Sequence, residues 1–357
     1  MSAGEPARKK RKLPAFVGRV SPPKTIVVDP LSRGEENTKW LRDHQPPGTA
    51  GPYNSYWRQF QSFCQRESLS PLPAEPDTVI SFMRLLLGDG KARGTINKAA
   101  LAAISEAHRL NDLPSPTVSD WVSLAKKTIT WLNPPPKTKR PLLLSHIRQM
   151  VQVMDAQSTT DTRDMLLLFL MFLGLLRESE AVSLRLEDVY VEEVNPGHPV
   201  LFVWVGTQDP TKTDQGCRGE YIILDSNPGN PLECAVSWYL RYRDMRGSHQ
   251  SPFLFSTSPG NTTKMSSRAP NAILKRWVRK LGLDPAEFSS HSARHGGATA
   301  AAAEGVQERL LKRHGRWKSD QVRVYIHETL ANRLGVSQAI LRADPSCFPP
   351  VRGTGGQ

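Results

Sequence analysis

The chain has 357 residues, 38% hydrophobic and 23% charged, with 47 Lys+Arg against 34 Asp+Glu and a net charge of +13. That length suits two or three domains, and that apolar content supplies packed cores and excludes wholesale disorder. The longest apolar run, Met165 to Leu176, is well short of the about 20 residues a membrane span needs, so an integral membrane protein is excluded, while the basic balance favours a polyanionic partner such as nucleic acid.

In chain order, residues 1–50 are rich in Pro, Gly and charge and read as a mostly disordered basic arm. Arg8-Lys9-Lys10-Arg11-Lys12 resembles a nuclear localisation signal, and the arm lacks the apolar stretch of a secretory signal. The plainer reading of that cluster is a tail that clings to phosphates. Residues 1–140 carry most of the charge excess, with 22 basic and 12 acidic side chains. Helical periodicity starts near Tyr53, where Tyr56, Trp57, Phe60, Phe63 and Cys64 share a face. Further helices are expected from Asp77 to Gly88, from Thr95 past His108, and over about 118–131. These make a small helical domain over 51–132. A stiff proline linker, 133–140, follows it.

A second domain is expected over 141–345, ahead of a flexible tail at 346–357. Helices fall at 145–155 and 161–176. Two strands, Val200 to Gly206 and Glu220 to Leu224, flank a polar hairpin loop. Helices then resume at 231–246, 266–282, 291–304, 306–313, 319–326 and 330–342. The fold class is therefore mainly α with a small antiparallel sheet (α+β). Cys64, Cys217, Cys234 and Cys347 form no CxxC pair, which points away from a disulfide framework or a zinc module.

Four segments stand out, each with a plain reading of its own. Arg177, after the apolar run, could cap the end of a helix. Lys212 in the hairpin loop could simply be solvated. His291 and Arg294, three apart, share a helix face as many surface pairs do. Trp317 and Tyr325 could belong to the core. Taken together they are the parts of metal-free phosphoryl transfer. Arginine forks grip phosphate oxygens and neutralise the charge that builds in the transition state. A lysine or histidine protonates a leaving 5′ oxygen, and a tyrosine attacks phosphorus and holds it covalently. The sequence offers no acidic cluster of the two-metal nuclease kind, and no cofactor is expected.

The ordered set Arg177, Lys212, His291-x-x-Arg294, Trp317 and Tyr325 resembles the tyrosine recombinase (phage integrase) family over roughly 50–345. Gly174 to Leu184 is similar to the family's first arginine box, with the acidic Glu180 three residues after the arginine. His291-Ser292-Ala293-Arg294 is similar to the second box of Cre-like members. Pro73-Ala74-Glu75-Pro76 and Leu113-Pro114-Ser115-Pro116 resemble lead-ins to helices of the core-binding domain. Gly315-Arg316-Trp317 resembles recombinases of DIRS-like or Crypton mobile elements.

The resemblance implies a helical core-binding domain joined to a catalytic domain that cuts and rejoins duplex DNA without metal or ATP. Arg177 and Arg294 would bind the scissile phosphate, and Lys212 would protonate the 5′ oxygen. His291 would assist proton transfer, Trp317 would bond a phosphate oxygen, and Glu180 would support the site from behind. Tyr325 would form a 3′-phosphotyrosyl bond. Tyr325 follows Trp317 by 8 residues, whereas the family usually has one more, so Arg316 and His314 are alternatives for the Trp317 position. A basic helix stripe, Lys275, Arg276, Arg279 and Lys280, could lie on phosphates or be a solvated face. The family works as a tetramer on double-stranded DNA, and an apolar helix after Tyr325 would dock on a neighbouring subunit or fold back. The nuclear signal implies a nuclear location if the host is eukaryotic. A type IB topoisomerase and a catalytically inactive DNA-binding protein are the competing functions.

Overall fold

A computed structural model describes residues 47–325, apart from 134–137, 210, 212, 213, 215, 248–250, 258–261 and 321; of 47–49, 324 and 325 it describes only the backbone. The cluster at 8–12, Lys212, the helix expected at 330–342 and the tail at 346–357 lie outside the described residues, as does the middle of the linker. The chain divides into two compact units, 1–136 and 137–357.

The first unit is helical: α1 (Pro47–Arg66), α2 (Pro76–Gly88), a π-helical turn (Thr95–Ala100) running into α3 (Leu101–Leu110), and α4 (Asp120–Leu132). Helix α1 begins earlier than its apolar face, because a proline at the first helical position loses no hydrogen bond. Phe60, Phe63 and Cys64 of α1 meet Val79, Phe82, Met83 and Leu86 of α2, and Ile96, Ile104, Val122 and Ile129 close the core. Asp77 lies in the first turn of α2, with Glu75 at the cap, where its charge faces the positive end of the helix. Ser119 caps α4 by accepting from the Trp121 N–H at 3.3 Å. His108 is fully buried and joins two elements. Its Nδ1–H donates to the Ile104 carbonyl at 2.8 Å, and its Nε2 accepts from the Ala74 N–H at 2.9 Å. Both bonds are met by one neutral tautomer.

The second unit contains α5 (Leu144–Val153), α6 (Thr159–Leu173), α7 (Glu178–Ser183), β1 (Val189–Asn195), β2 (His198–Val205), β3 (Glu220–Asp225), α8 (Ala235–Arg246), α9 (Ala269–Lys280), α10 (His291–Ala303), α11 (Glu308–His314) and α12 (Val322–Tyr325). Helix α6 is the central post: every residue from Thr162 to Phe172 is buried. It packs against α8, α9 and α10. The sheet is antiparallel in the order β1-β2-β3. Leu201, Val203, Val205, Ile222 and Leu224 are buried within the same core as α6, as period-2 alternation requires.

Two elements go beyond the sequence reading. Strand β1 pairs in front of β2 with Tyr190 opposite Phe202, closed by a turn in which Gly197 takes φ 77°. Its Glu192-Glu193 pair interrupts the apolar alternation that marks strands. Helix α7 is too short to show a period. Helix α10 meets its neighbours backbone to backbone at a glycine pair, Gly296 against the segment before α5 and Gly297 against α6. A Cβ on Gly296 would fall 1.7 Å from the Leu142 carbonyl oxygen, and one on Gly297 would fall 2.0 Å from that of Phe172. Only glycine permits that approach, and it sets Arg294, one turn earlier, against the end of α6.

Candidate active site

The site forms where α6 stops. After the α6 cap at Gly174, Leu175 adopts φ 49°, a left-handed conformation that costs a branched residue energy. The chain turns, and Arg177 becomes the N-cap of α7 rather than a cation at the end of α6. Glu180, three residues on, accepts from the Arg177 backbone N–H at 2.9 Å. This is one half of a capping box. The other Glu180 oxygen accepts from the Arg177 guanidinium.

From the far side of the sequence, two more arginines enter. Arg316 donates to Glu180 Oε2 at 2.9 Å and to the Leu175 carbonyl at 3.0 Å with the same nitrogen, Nη2. Its Nη1 donates to the His314 carbonyl at 2.9 Å and the Gly174 carbonyl at 3.3 Å. Arg316 itself sits at φ 55°. Arg294 is fully buried. It donates to the Leu175 carbonyl and, at 2.6 Å, to the Gly315 carbonyl. The Leu175 carbonyl thus accepts from both Arg294 and Arg316. The Arg294 guanidinium lies 4.2 Å from the centre of the Trp317 ring, a cation–π arrangement. Gly315 makes room for that ring: a Cβ there would come 1.9 Å from it.

The three candidates for one position make different contacts. Trp317 lies against Arg294. Arg316 is turned inward onto Glu180. His314 is tied away, its Nε2 donating to the Leu173 carbonyl at 2.7 Å.

The remaining candidates are placed less completely. His291 opens α10 on the exposed surface, with its ring 6.5 Å from that of His295. Tyr325 closes α12, whose side chain Val322 is buried in one cluster with Leu175, Ala298, Leu311 and Trp317. The helix that carries Tyr325 is therefore fastened to the residues that carry Arg294 and Trp317. Lys212 lies outside the described residues, but the base of its hairpin is anchored. Thr207 donates to Asp188 at 2.8 Å, Gln208 donates to Glu187 at 2.6 Å, and Asp209 pairs with Lys264 at 2.9 Å. Lys264 also reaches Ser183 at the end of α7, at 3.2 Å. Sequence reasoning missed Lys264, since no spacing links it to the hairpin. In the basic stripe, Arg276 bonds the buried Asp164, and Lys280 leans 3.8 Å from Asp161 and over the Trp277 ring. Lys275 is half-buried and Arg279 exposed.

The electrostatics have a definite sign. Burial would push the Glu180 carboxyl up, but the charges of Arg316, Arg177 and Arg294 and the Arg177 N–H hold it below its ordinary value. It is therefore an anion at neutral pH, facing three cations, and the cluster carries a surplus of positive charge. Burial lowers the pKa of His314, and the charges of Arg316 and Arg294 add to that, against the Leu173 bond. Such a site suits a phosphate, which takes up both forks and surplus charge. Among the described residues, no group of three or more His, Cys, Asp or Glu comes together as a metal site would, and no helix is long and apolar enough to cross a membrane.

Comparison with known proteins identifies the family. The phage integrase family model matches residues 142–331, just over half of the chain. An integrase/recombinase xerD homolog of Selenomonas ruminantium is 27% identical over 292 residues, covering 79% of this chain and 82% of the relative. Recombinase cre of Escherichia phage P1 is 24% identical over 308 residues, covering 80% and 85%. In fold, the chain is similar to XerH site-specific recombinase bound to its difH substrate, with a TM-score of 0.59, 15% identity and coverage of 87% and 83%. It is also similar to a lambda integrase dimer bound to a core site, with a TM-score of 0.55, 14% identity and coverage of 86% and 78%. The chain belongs to the phage integrase family, the tyrosine recombinases, whose members are site-specific recombinases that transfer DNA strands.

Proposed function

We propose that this recombinase cuts and rejoins double-stranded DNA through a 3′-phosphotyrosyl bond at Tyr325, with neither metal nor ATP. The observation that carries the reading is the convergence of Arg177 and Arg294 on one cluster, through Glu180 and the Leu175 carbonyl, with Trp317 against Arg294. The Tyr325 oxygen attacks the scissile phosphorus as the bond to the 5′ oxygen breaks. Lys212 supplies the proton that the 5′ oxygen takes up, and His291 assists in removing the proton of Tyr325. Arg177 and Arg294 neutralise the two non-bridging oxygens, and the Trp317 indole N–H donates to one of them. Rejoining runs the same steps backwards with a 5′ hydroxyl from a second strand. The phosphotyrosyl bond conserves the energy of the broken phosphodiester, so the exchange needs no ATP.

The +13 charge supplies salt-dependent attraction to the duplex. Strand exchange within a tetramer on DNA and nuclear import through Arg8–Lys12 complete the reading.

The test is covalent capture. Purified protein is incubated with fragmented source DNA in EDTA, denatured in SDS, and the attached DNA is sequenced, beside a Tyr325→Phe control. Adducts that form in EDTA and vanish in the control are expected. Adducts that persist in the control move the nucleophile elsewhere, and no adduct from either protein favours a binding role. Adducts without exchange between two captured sites would indicate a topoisomerase.

A further inference from the structure

The geometry assigns Arg316 a positioning role in strand transfer: it holds Glu180 and the Leu175 carbonyl in place, so that Arg177 and Arg294 keep their charge for the phosphate. This assignment rests on the strand-transfer reading above.

Three observations carry it. The first is connectivity. One nitrogen of Arg316 bridges Glu180 Oε2 and the Leu175 carbonyl. Arg177 holds the other Glu180 oxygen, and Arg294 donates to the same Leu175 carbonyl. Arg316 is therefore the link between the two phosphate-binding arginines, which come from segments more than a hundred residues apart in sequence.

The second is charge. Arg177 and Arg294 face one buried carboxylate. Without Arg316, Glu180 would cancel half of the charge those two bring to a phosphate. With it, the cluster of Arg177, Arg294, Arg316 and Glu180 keeps two net positive charges, matching the charge of the two non-bridging oxygens in the transition state. Arg316 commits its fork to the protein: each terminal nitrogen makes two bonds, which go to Glu180 and to three carbonyls.

The third is conformation. Arg316 keeps φ 55° and Leu175 keeps φ 49°, both left-handed. Such strain persists only where surrounding contacts enforce it, and it gathers at functional sites. Here the bond between the two strained residues is itself one of those contacts. The planar fork is essential, because a lysine could not reach Glu180 and three carbonyls together.

The groups facing Glu180 are Arg177 at the cap of α7, Arg316 in the turn after α11, and Arg294 from α10. Two measurements test the role. In the first, the full chain is labelled with carbon-13 at glutamate carboxyls. The Glu180 signal is identified by its loss in Glu180→Gln and titrated in the wild type, Arg316→Met and Arg316→Lys. The Glu180 midpoint is expected to move up by about one pH unit or more in Arg316→Met and by less in Arg316→Lys. An unmoved midpoint overturns the proposal. If Arg316→Met does not fold, the Arg316→Lys titration decides in the same way. In the second, the rate of adduct formation is measured on a nicked duplex cut from DNA that the wild type captures. Arg316→Met is expected to lose roughly 10- to 100-fold in rate while DNA affinity stays within a few-fold. Its loss should shrink in a Glu180→Gln background, where no carboxylate needs holding. Equal losses in both backgrounds would mean that Arg316 only braces the turn, and would overturn the role. If the wild type itself forms no adduct, the strand-transfer reading fails, whereas the titration still reports on the hold of Arg316 on Glu180.

Discussion

Glu180 and Asp164 occupy similar surroundings in the second unit. Each is buried, each accepts from two arginines, and each has a tryptophan ring nearby with a cation 4.2 Å from its centre. Asp164 takes two bonds from its neighbour Arg163, one from Arg276 and one from the Trp277 indole at 3.2 Å. All of these donors stand on the regular helices α6 and α9. Asp161 stands 3.9 Å from Arg276 and 3.8 Å from Lys280, which brings that group near charge balance. The donors to Glu180 stand on bent backbone instead: Arg316 is itself left-handed, Arg177 lies two residues after the left-handed Leu175, and the group has a surplus of positive charge. Side-chain chemistry alone does not tell a brace from a site. Backbone strain and unbalanced charge do.

The largest expected effect follows from that surplus. On the proposed strand-transfer reading, Arg294→Ala should lower the rate of metal-free adduct formation by at least about 10³-fold, because it would remove a fork aimed at the transition state. Arg276→Ala, which removes the equivalent fork at Asp164, should leave the rate per folded molecule within a few-fold. Comparable losses from both would show that the Asp164 group also touches DNA, as the basic stripe on α9 suggests from sequence.

Stability should treat the two carboxylates alike. Asp164→Asn leaves the buried Arg163, and Glu180→Gln the buried Arg316, without its counter-charge, at a cost of about 3 kcal/mol in each. For a unit of this size, calorimetry should show a fall in Tm of about 6–12 °C in either variant. Only Glu180→Gln should also slow adduct formation. An Asp164→Asn protein that stays folded and loses chemistry would break the distinction.

A smaller effect concerns how Arg294 is delivered. Gly297→Ala places a Cβ 2.0 Å from the Phe172 carbonyl oxygen, so α10 must shift away from α6. Overpacking of that kind costs about 1–3 kcal/mol, readable by urea unfolding. The rate should fall further than that loss predicts, since Arg294 moves with its helix.

The same comparison shows what the sequence makes legible. The long helices were readable because a buried stripe such as Phe60, Phe63 and Cys64 repeats at the helical period. The candidate site residues stand out only as residue types in an order. Their supports do not stand out. Arg177 follows an apolar helix and so looks like a cation at its end, yet Glu180 recruits it as the cap of the next one. Arg316 invites counting against Tyr325, whereas its partner Glu180 lies 136 residues earlier. Strand β1 hides its period behind Glu192 and Glu193. The bond between Lys264 and Asp209 joins two loops that no local rule connects.

The weakest expected effect separates His314 from the cluster beside it. Burial and the nearby arginines lower its pKa, so the unfolded chain binds a proton that the folded chain resists. Its contribution to stability is complete above the unfolded value of about 6.5. It is lost as pH falls from there through the folded value, with a slope of at most about 1.4 kcal/mol per pH unit. His314→Gln keeps a donor for the Leu173 carbonyl and removes the titration. The difference in urea midpoint between wild type and His314→Gln should therefore depend on pH between about 7 and 5. His146, whose pKa burial also lowers, cancels in that difference. Glu180 is silent in this window because its own pKa is held below the ordinary glutamate value; its contribution is present above about pH 4.3 and is lost only in stronger acid. A flat difference across pH 5–7 would mean that water reaches the imidazole.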